Sequence, residues 1–279
     1  MIKFIFKFFA LMPLRLNHFI GGGIGQLLYL TNNRSKSVVS RNIDICFPDL
    51  SEEQRQNLIK KSLIETGKGL SEMGFVWFNS VEHNAKHVVK IKGEEHLQTE
   101  QNSILLAPHF GCWEIAGCVV SLYRPITTMY KELSDKKQNS LLLSVRKRQN
   151  MQMIEANKKG VLKLQRTLRS GRLIAILPDQ YPGEGGGVLA PFFGQNARTM
   201  TLLVKLARKN NAKVLLIWAT RLDKGKGYEL NIKPVDVLSK SGVLAEDVAV
   251  MNQVIEDLVK TKPEQYLWNY KRFKGVVKY

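Results

Sequence analysis

Short apolar runs of the strand type alternate with helical stretches from residue 103 onward. The strand-type runs cover 103–107, 126–129, 151–154, 173–177, 214–218 and 228–232. Between and after them, apolar residues at helical spacing predict amphipathic helices over 138–148, 158–169, 200–208 and 247–260. This alternation predicts an α/β fold, with a mixed but largely parallel sheet that is flanked by helices on both faces.

A long helix is predicted before the first strand. A turn at 47–49 is followed by Ser51 and Gln54, which have the spacing of a capping box, and apolar residues then recur at helical intervals as far as Phe78. The sequence contains no internal repeat and no long Gly/Ser/Pro linker. We therefore expect one domain of catalytic size with a helical extension at its amino terminus.

The first 30 residues are apolar and basic and carry no acidic side chain. Pro13 and polar residues interrupt the apolar run, so it falls short of the roughly 20 residues that a spanning helix needs. Lys7 lies inside the run and no cleavage site follows, which argues against a secretory signal. We predict a membrane-anchoring segment over 1–30 and a catalytic domain over 31–279. The alternative is that this segment is the first helix of the core.

The charge balance favours an anionic partner. Lysines and arginines number 42 against 24 aspartates and glutamates, which gives a net charge of +18 spread over the chain. Nucleic acid, anionic lipid and an acidic carrier protein all fit that charge, but no nucleic-acid-binding motif is present. The cysteines Cys46, Cys112 and Cys118 form no C-x-x-C pair, so neither a disulfide framework nor a zinc site is predicted.

Polar residues follow two of the predicted strands, at the sheet edge where α/β proteins bind ligands. His109 and Glu114 follow the first strand, and Asp179 and Gln180 follow the fourth. The side chains of His109 and Glu114 can converge if the histidine lies in the turn and the glutamate in the first turn of the next helix. Such a pair suits general base catalysis, although a structural histidine capped by a nearby acid has the same spacing.

Four segments carry a family resemblance. The segment APHFGCWE at 107–114 resembles the H-x-x-x-x-D/E signature of glycerolipid-type acyltransferases, and in particular that of the lipid A secondary (late) acyltransferases of Gram-negative bacteria. Further matches to that family are RNI at 41–43 with CFP at 46–48, LPDQ at 177–180 with PFFG at 191–194, and PEQYLW at 263–268 with KRFK at 271–274.

The resemblance implies a glycerolipid-acyltransferase-like fold and a membrane-associated enzyme. Such an enzyme moves a fatty acyl group from acyl carrier protein to a hydroxyl group of a lipid A precursor, at the cytoplasmic face of the inner membrane. The sequence itself shows neither a metal-ligand cluster nor a phosphate-binding glycine fingerprint, so we expect no metal and no cofactor. The same fold acting on a lysophospholipid or another glycolipid is the alternative, and a non-enzymatic basic binding protein is a more distant one.

The resemblance also implies catalytic roles. His109 is expected to be the general base and Glu114 its orienting partner. Arg146 and Arg148 are the candidates for stabilising the oxyanion, against the alternative of a solvated basic helix face. Cys112 lies three residues from the histidine, which leaves a covalent mechanism open as a minor alternative.

A second group of residues is predicted to bind substrate. Asp179 and Gln180 are expected either to bind the glucosamine headgroup or to brace the His109 loop. Arg198, Lys131 and Arg272 are expected to face lipid phosphates or the acidic carrier protein, although such charges can also simply solvate a surface.

Overall fold

The computed structural model describes residues 2–98, 101–130, 135–148 and 151–279. The helices are α1 (Ile2–Ala10), α2 (Leu14–Leu30), α3 (Arg34–Cys46), α4 (Glu52–Phe78), α5 (Val81–Ala85), α6 (Trp113–Val120), α7 (Lys136–Arg148), α8 (Lys158–Arg169), α9 (Leu202–Asn210) and α10 (Leu244–Thr261). The strands are β1 (Val88–Lys92), β2 (Ser103–Leu106), β3 (Ile126–Tyr130), β4 (Met151–Glu155), β5 (Leu173–Ile176), β6 (Val188–Phe192), β7 (Gln195–Thr199), β8 (Lys213–Arg221) and β9 (Tyr228–Val235).

The central sheet is mixed and mostly parallel, as predicted. Its seven strands lie in the order β1-β9-β8-β2-β5-β3-β4. Strands β8 and β9 pair antiparallel and the other neighbours pair parallel. All six predicted strands and all four predicted helices of this region are present, and the capping box of Ser51 and Gln54 starts α4. The antiparallel pair forms because a tight turn at 223–227 joins β8 directly to β9.

Two strand features were missed by the sequence patterns. Strand β1 adds to the sheet edge beside β9. Strands β6 and β7 form a separate hairpin, with Phe193 and Gly194 at positive φ in its two-residue turn. The hairpin contains the PFFG match at 191–194, for which no strand was predicted.

Both faces of the sheet are buried. In β2, Ile104 and Leu106 point into one hydrophobic cluster, and Leu105 and the following Ala107 point into the other. This alternation reflects the two-residue period of a strand. Because helices cover both faces, the polar residues of this region collect at the carboxyl ends of the parallel strands.

The amino-terminal helices pack against α4 at very short range. An added Cβ at Gly25 would lie 2.2 Å from the carbonyl oxygen of Leu63, and one at Gly67 would lie 2.1 Å from that of Gly21. Backbone contact this close requires glycine. The opposite side of α1 and α2 exposes large apolar side chains, including Phe4 (78%) and Phe19 (79%).

None of the described helices is both long enough and apolar enough to cross a bilayer. Helices α1 and α2 are amphipathic, and membrane anchoring by residues 1–30 stays a prediction. Their glycine-mediated packing shows that they also contribute to the protein core.

A buried ionic cluster joins α2, α4 and β8. The His18 Nε2 lies 2.7 Å from a carboxylate oxygen of Glu72, and the Arg221 guanidinium lies 2.7 Å from the other oxygen. The Tyr228 hydroxyl donates to the same carboxylate at 2.9 Å. Burial alone would raise the pKa of Glu72, but Arg221 and the His18 hydrogen bond together outweigh it, and the pKa lies below its usual value. The cluster therefore contains an ionised, paired carboxylate.

Candidate active site

The turn that carries His109 is fixed by its neighbours on both sides. It connects β2 to α6, and the His109 carbonyl accepts a hydrogen bond from the backbone N–H of Leu267 at 3.0 Å. The N–H of Gly111 donates to the carbonyl of Gln265 at 2.9 Å. Gly111 has a φ of +56°, and an added Cβ would lie 2.0 Å from the carbonyl oxygen of Ala219. The turn needs glycine at this position.

Asp179 holds the imidazole of His109. The Nδ1 of His109 lies 2.8 Å from Asp179 Oδ1, and the His109 backbone N–H donates to Asp179 Oδ2 at 2.9 Å. A carboxylate only accepts, so Nδ1 carries the proton, and in the neutral imidazole Nε2 is the nitrogen that can accept one. Burial would raise the pKa of Asp179, but the adjacent His109 outweighs it and the pKa lies below its usual value. Asp179 is therefore an ionised orienting group.

The pairing of His109 with Glu114 that we expected is not what the structure has. Glu114 accepts from Arg146 Nη2 at 2.6 Å and from the Trp77 indole N–H at 3.0 Å. Asp179, not Glu114, is the carboxylate that binds the imidazole. The reason is topological, since β2 and β5 are neighbours and bring residues 70 positions apart to the same sheet edge.

Two cavities meet at His109. The larger, about 420 Å³, is bordered by His109, Glu114 and Arg146. Its walls are mainly apolar and include Ile126, Met129, Leu142, Met151, Met153 and Ile217. The smaller, about 250 Å³, lies between α4 and the carboxyl-terminal segment. His109, Trp113 and Gln180 border both cavities.

The side chains where the two cavities meet are suited to proton transfer next to a bound apolar ligand. The Gln180 side-chain NH₂ donates to the His109 Nε2 at 3.1 Å, and the Trp113 ring packs edge-on at 5.2 Å from the imidazole. Within the described residues, no group of three or more His, Cys, Asp and Glu side chains is placed to hold a metal ion.

A family model described as bacterial lipid A biosynthesis acyltransferase matches residues 1–275. The chain belongs to this family.

Relatives named as lipid A acyltransferases align over most of the chain. The lipid A biosynthesis lauroyltransferase of Escherichia coli (strain K12) is 29% identical over 94% of this chain and 87% of its own length. The palmitoleoyltransferase of the same strain is 29% identical over 92% of this chain and 84% of its own length. A lipid A biosynthesis acyltransferase of Haemophilus influenzae is 27% identical over 97% and 88%. The protein is therefore an acyltransferase.

Several predicted site residues of this lipid A acyltransferase lie elsewhere. Arg272 is 2% exposed and donates to the Arg198 carbonyl at 3.0 Å and to the Thr199 hydroxyl at 2.6 Å. It also stacks over the Phe192 ring at 4.8 Å. Arg272 was predicted to face substrate, but the structure buries it under the hairpin β6–β7, which accepts hydrogen bonds from both of its terminal guanidinium nitrogens.

The other members of that group have different outcomes. Asp179 is buried with both carboxylate oxygens bound to His109, which matches the bracing alternative rather than contact with a headgroup. Arg198 is half-buried on β7, and its side chain reaches the Gly186 carbonyl at 3.5 Å. Lys131 and the side chain of Arg148 lie outside the described residues. Roles for Arg198, Lys131 and Arg148 stay predictions.

Cys112 is placed poorly for covalent catalysis. The side chain is buried, and burial together with the nearby Glu72 raises the pKa of its thiol well above the usual value. A protonated thiol is a weak nucleophile, which argues against a covalent role for Cys112.

Two tryptophans of the acyltransferase site carried no recognised sequence signal. Trp77 lies near the end of α4, 37 residues before the glutamate that it binds, and no local spacing links the two. Trp113 lies inside the 107–114 signature, so its position next to His109 could have been proposed from the motif.

Proposed function

We propose that this acyltransferase moves a fatty acyl chain from the thioester of an acyl carrier protein to a hydroxyl group of a lipid A precursor. The observation that carries the proposal is the position of the His109 Nε2 where a mainly apolar cavity meets a second, smaller one. An acyl chain fits the apolar cavity, and an acceptor hydroxyl can approach from the smaller one.

In this mechanism His109 Nε2 removes the proton of the acceptor hydroxyl as its oxygen attacks the thioester carbonyl carbon. Asp179 keeps the imidazole in the required tautomer and stabilises the imidazolium. The tetrahedral intermediate then collapses, the C–S bond breaks, and the thiolate takes the proton back from His109. No acyl-enzyme forms.

Arg146 is the proposed oxyanion donor. Its Nη2 is held by Glu114 and its Nη1 lies 3.6 Å from the Met151 sulfur, so the guanidinium borders the larger cavity in a fixed orientation. Glu114 therefore acts through Arg146 rather than through His109. A positioned guanidinium near a developing oxyanion lowers the barrier without reorganisation during the reaction.

Membrane association is part of the same proposal. Helices α1 and α2 expose apolar side chains, and the basic residues Lys3, Lys7 and Arg15 lie between them. This is the composition of an interfacial segment that binds anionic lipid. The lipid acceptor is then collected at the cytoplasmic face of the inner membrane.

The test is an acyl transfer assay read by mass spectrometry. Purified wild type and His109→Ala are incubated with acyl carrier protein thioesters of several chain lengths and a tetra-acylated lipid A precursor. A product heavier by one acyl chain, formed by the wild type alone, supports the proposal. Transfer to lysophospholipid but not to the precursor would contradict it.

A further inference from the structure

The solvent-facing side of α8 is basic along its first three turns. Lys158, Lys159, Lys163 and Arg166 are all exposed, and they surround Leu162, which is 57% exposed. We name these five residues the α8 basic face. The helix contains no acidic residue, and no ion pair joins these cations to a carboxylate in the described part of the chain. Their charge is thus available to a partner.

The α8 basic face begins beside the larger cavity. Ala156, at the carboxyl end of β4, borders that cavity, and the next residue, Asn157, caps α8 by accepting from the Gly160 N–H at 2.8 Å. The buried side of the helix, including Leu164 and Leu168, packs on the sheet. A partner bound to the exposed side therefore lies next to a wall of the cavity that ends at His109.

We propose that the α8 basic face docks the acidic carrier protein that delivers the acyl thioester. This inference rests on the proposed function and names the binding surface of its donor. Complementary charge attracts and orients an acidic protein, and one exposed leucine within a charged ring resembles the apolar centre and polar rim of a small protein interface. The tethered thioester then has a short path to the larger cavity.

A lipid surface fits this face less well. The exposed apolar side chains of the protein concentrate on α1 and α2, and α2 contacts the turn between β8 and β9. Helix α8 packs against β3, β4 and β5, in the other half of the sheet. Bilayer binding through α1 and α2 and carrier binding through α8 would therefore use different parts of the molecule.

The experiment compares two charge-reversal variants of the full chain. Lys159→Glu/Lys163→Glu alters the α8 basic face, and Lys233→Glu/Lys240→Glu makes the same charge change at exposed sites away from it. Each protein is assayed with acyl carrier protein thioester and with acyl-pantetheine, a small thioester without the acidic protein. Binding of labelled acyl carrier protein is measured by fluorescence anisotropy at several salt concentrations.

We expect Lys159→Glu/Lys163→Glu to weaken binding of the carrier protein and to raise the KM for its acyl thioester about tenfold or more. The binding should depend less on salt concentration than in the wild type, and the rate with acyl-pantetheine should be unchanged. Lys233→Glu/Lys240→Glu should behave as wild type. Equal effects of the two variants, or no effect of either, would overturn the docking proposal while wild-type transfer leaves the proposed function intact. Loss of binding to anionic vesicles instead of carrier protein would assign the face to lipid.

Discussion

The substitution Asp179→Asn tests the orientation of His109 most directly. In the structure the two carboxylate oxygens accept from two different N–H groups of His109, at 2.8 and 2.9 Å. An amide has one oxygen and one NH₂ group, so it can accept from only one of them. If its oxygen keeps the backbone N–H, its NH₂ faces Nδ1, and the ring proton moves to Nε2. The histidine can then no longer act as a base.

The expected loss is large. The same carboxylate-to-amide change in a serine-protease triad lowers kcat by about 10⁴-fold, because the histidine then adopts the wrong tautomer. At about 1.4 kcal/mol per factor of ten, this corresponds to about 5 kcal/mol of lost transition-state stabilisation. Substrate binding does not require the tautomer, so KM should change little. The assay is single-turnover acyl transfer to a lipid A precursor, read by mass spectrometry.

Asp247→Asn is the matched control. Asp247 is also a buried carboxylate, and it is paired with Arg208 at 2.6 Å. Its hydrogen bonds outweigh the effect of burial, so its pKa also lies below the usual value. A lowered folded pKa means stabilisation that is present at neutral pH and fades as the pH falls through that pKa. Both variants should therefore lower Tm at neutral pH, and Asp179→Asn alone should lower kcat. The reasoning is refuted if Asp179→Asn keeps more than about a tenth of kcat.

The remaining predictions concern other parts of the site and its surroundings. Glu114→Gln should lower kcat about 10²-fold or more, because an uncharged amide with one acceptor oxygen cannot hold both the Arg146 guanidinium and the Trp77 N–H. Tm is the folding control, and near-normal turnover would remove this glutamate from the mechanism. Cys112→Ala should keep its turnover with a modest loss of stability in denaturant titration, whereas an inactive but folded variant would indicate a covalent route. Phe4→Ser/Phe8→Ser should reduce sedimentation of the protein with anionic vesicles. The control Val89→Ser, which changes an exposed side chain on the edge strand β1, should not. Equal binding by the wild type and both variants would argue against the interfacial role of α1.

The fold was largely predictable because periodicity in the chain reports burial. Runs such as 103–107 and 173–177 are buried on both faces, and such continuous apolar segments are recognisable without tertiary information. The edge strand β1 and the hairpin β6–β7 were not recognised, because their residues alternate weakly and part of the hairpin binds α10 and the carboxyl-terminal segment instead of the main sheet.

The site was predictable in its residues but not in its pairings. His109, Glu114, Asp179 and Gln180 could be found because they follow strands, but which carboxylate reaches the imidazole depends on strand order, which no local spacing encodes. Arg272 illustrates a different error, since a residue that we expected at the surface is buried. A basic segment near the end of a chain is usually solvated, and its burial depends on acceptors supplied by residues 20 and 73 positions away.

The buried ionic cluster has a practical consequence for work with this enzyme. It connects His18 on α2 through Glu72 to Arg221, whose backbone N–H and carbonyl are both bound by the side chain of Gln265. The Gln265 carbonyl in turn accepts from the N–H of Gly111, in the turn that carries His109. A shortened form without α2 would expose a buried ion pair and loosen the support of that turn. Crystallisation and inhibitor screening should therefore use the chain with its first two helices in place.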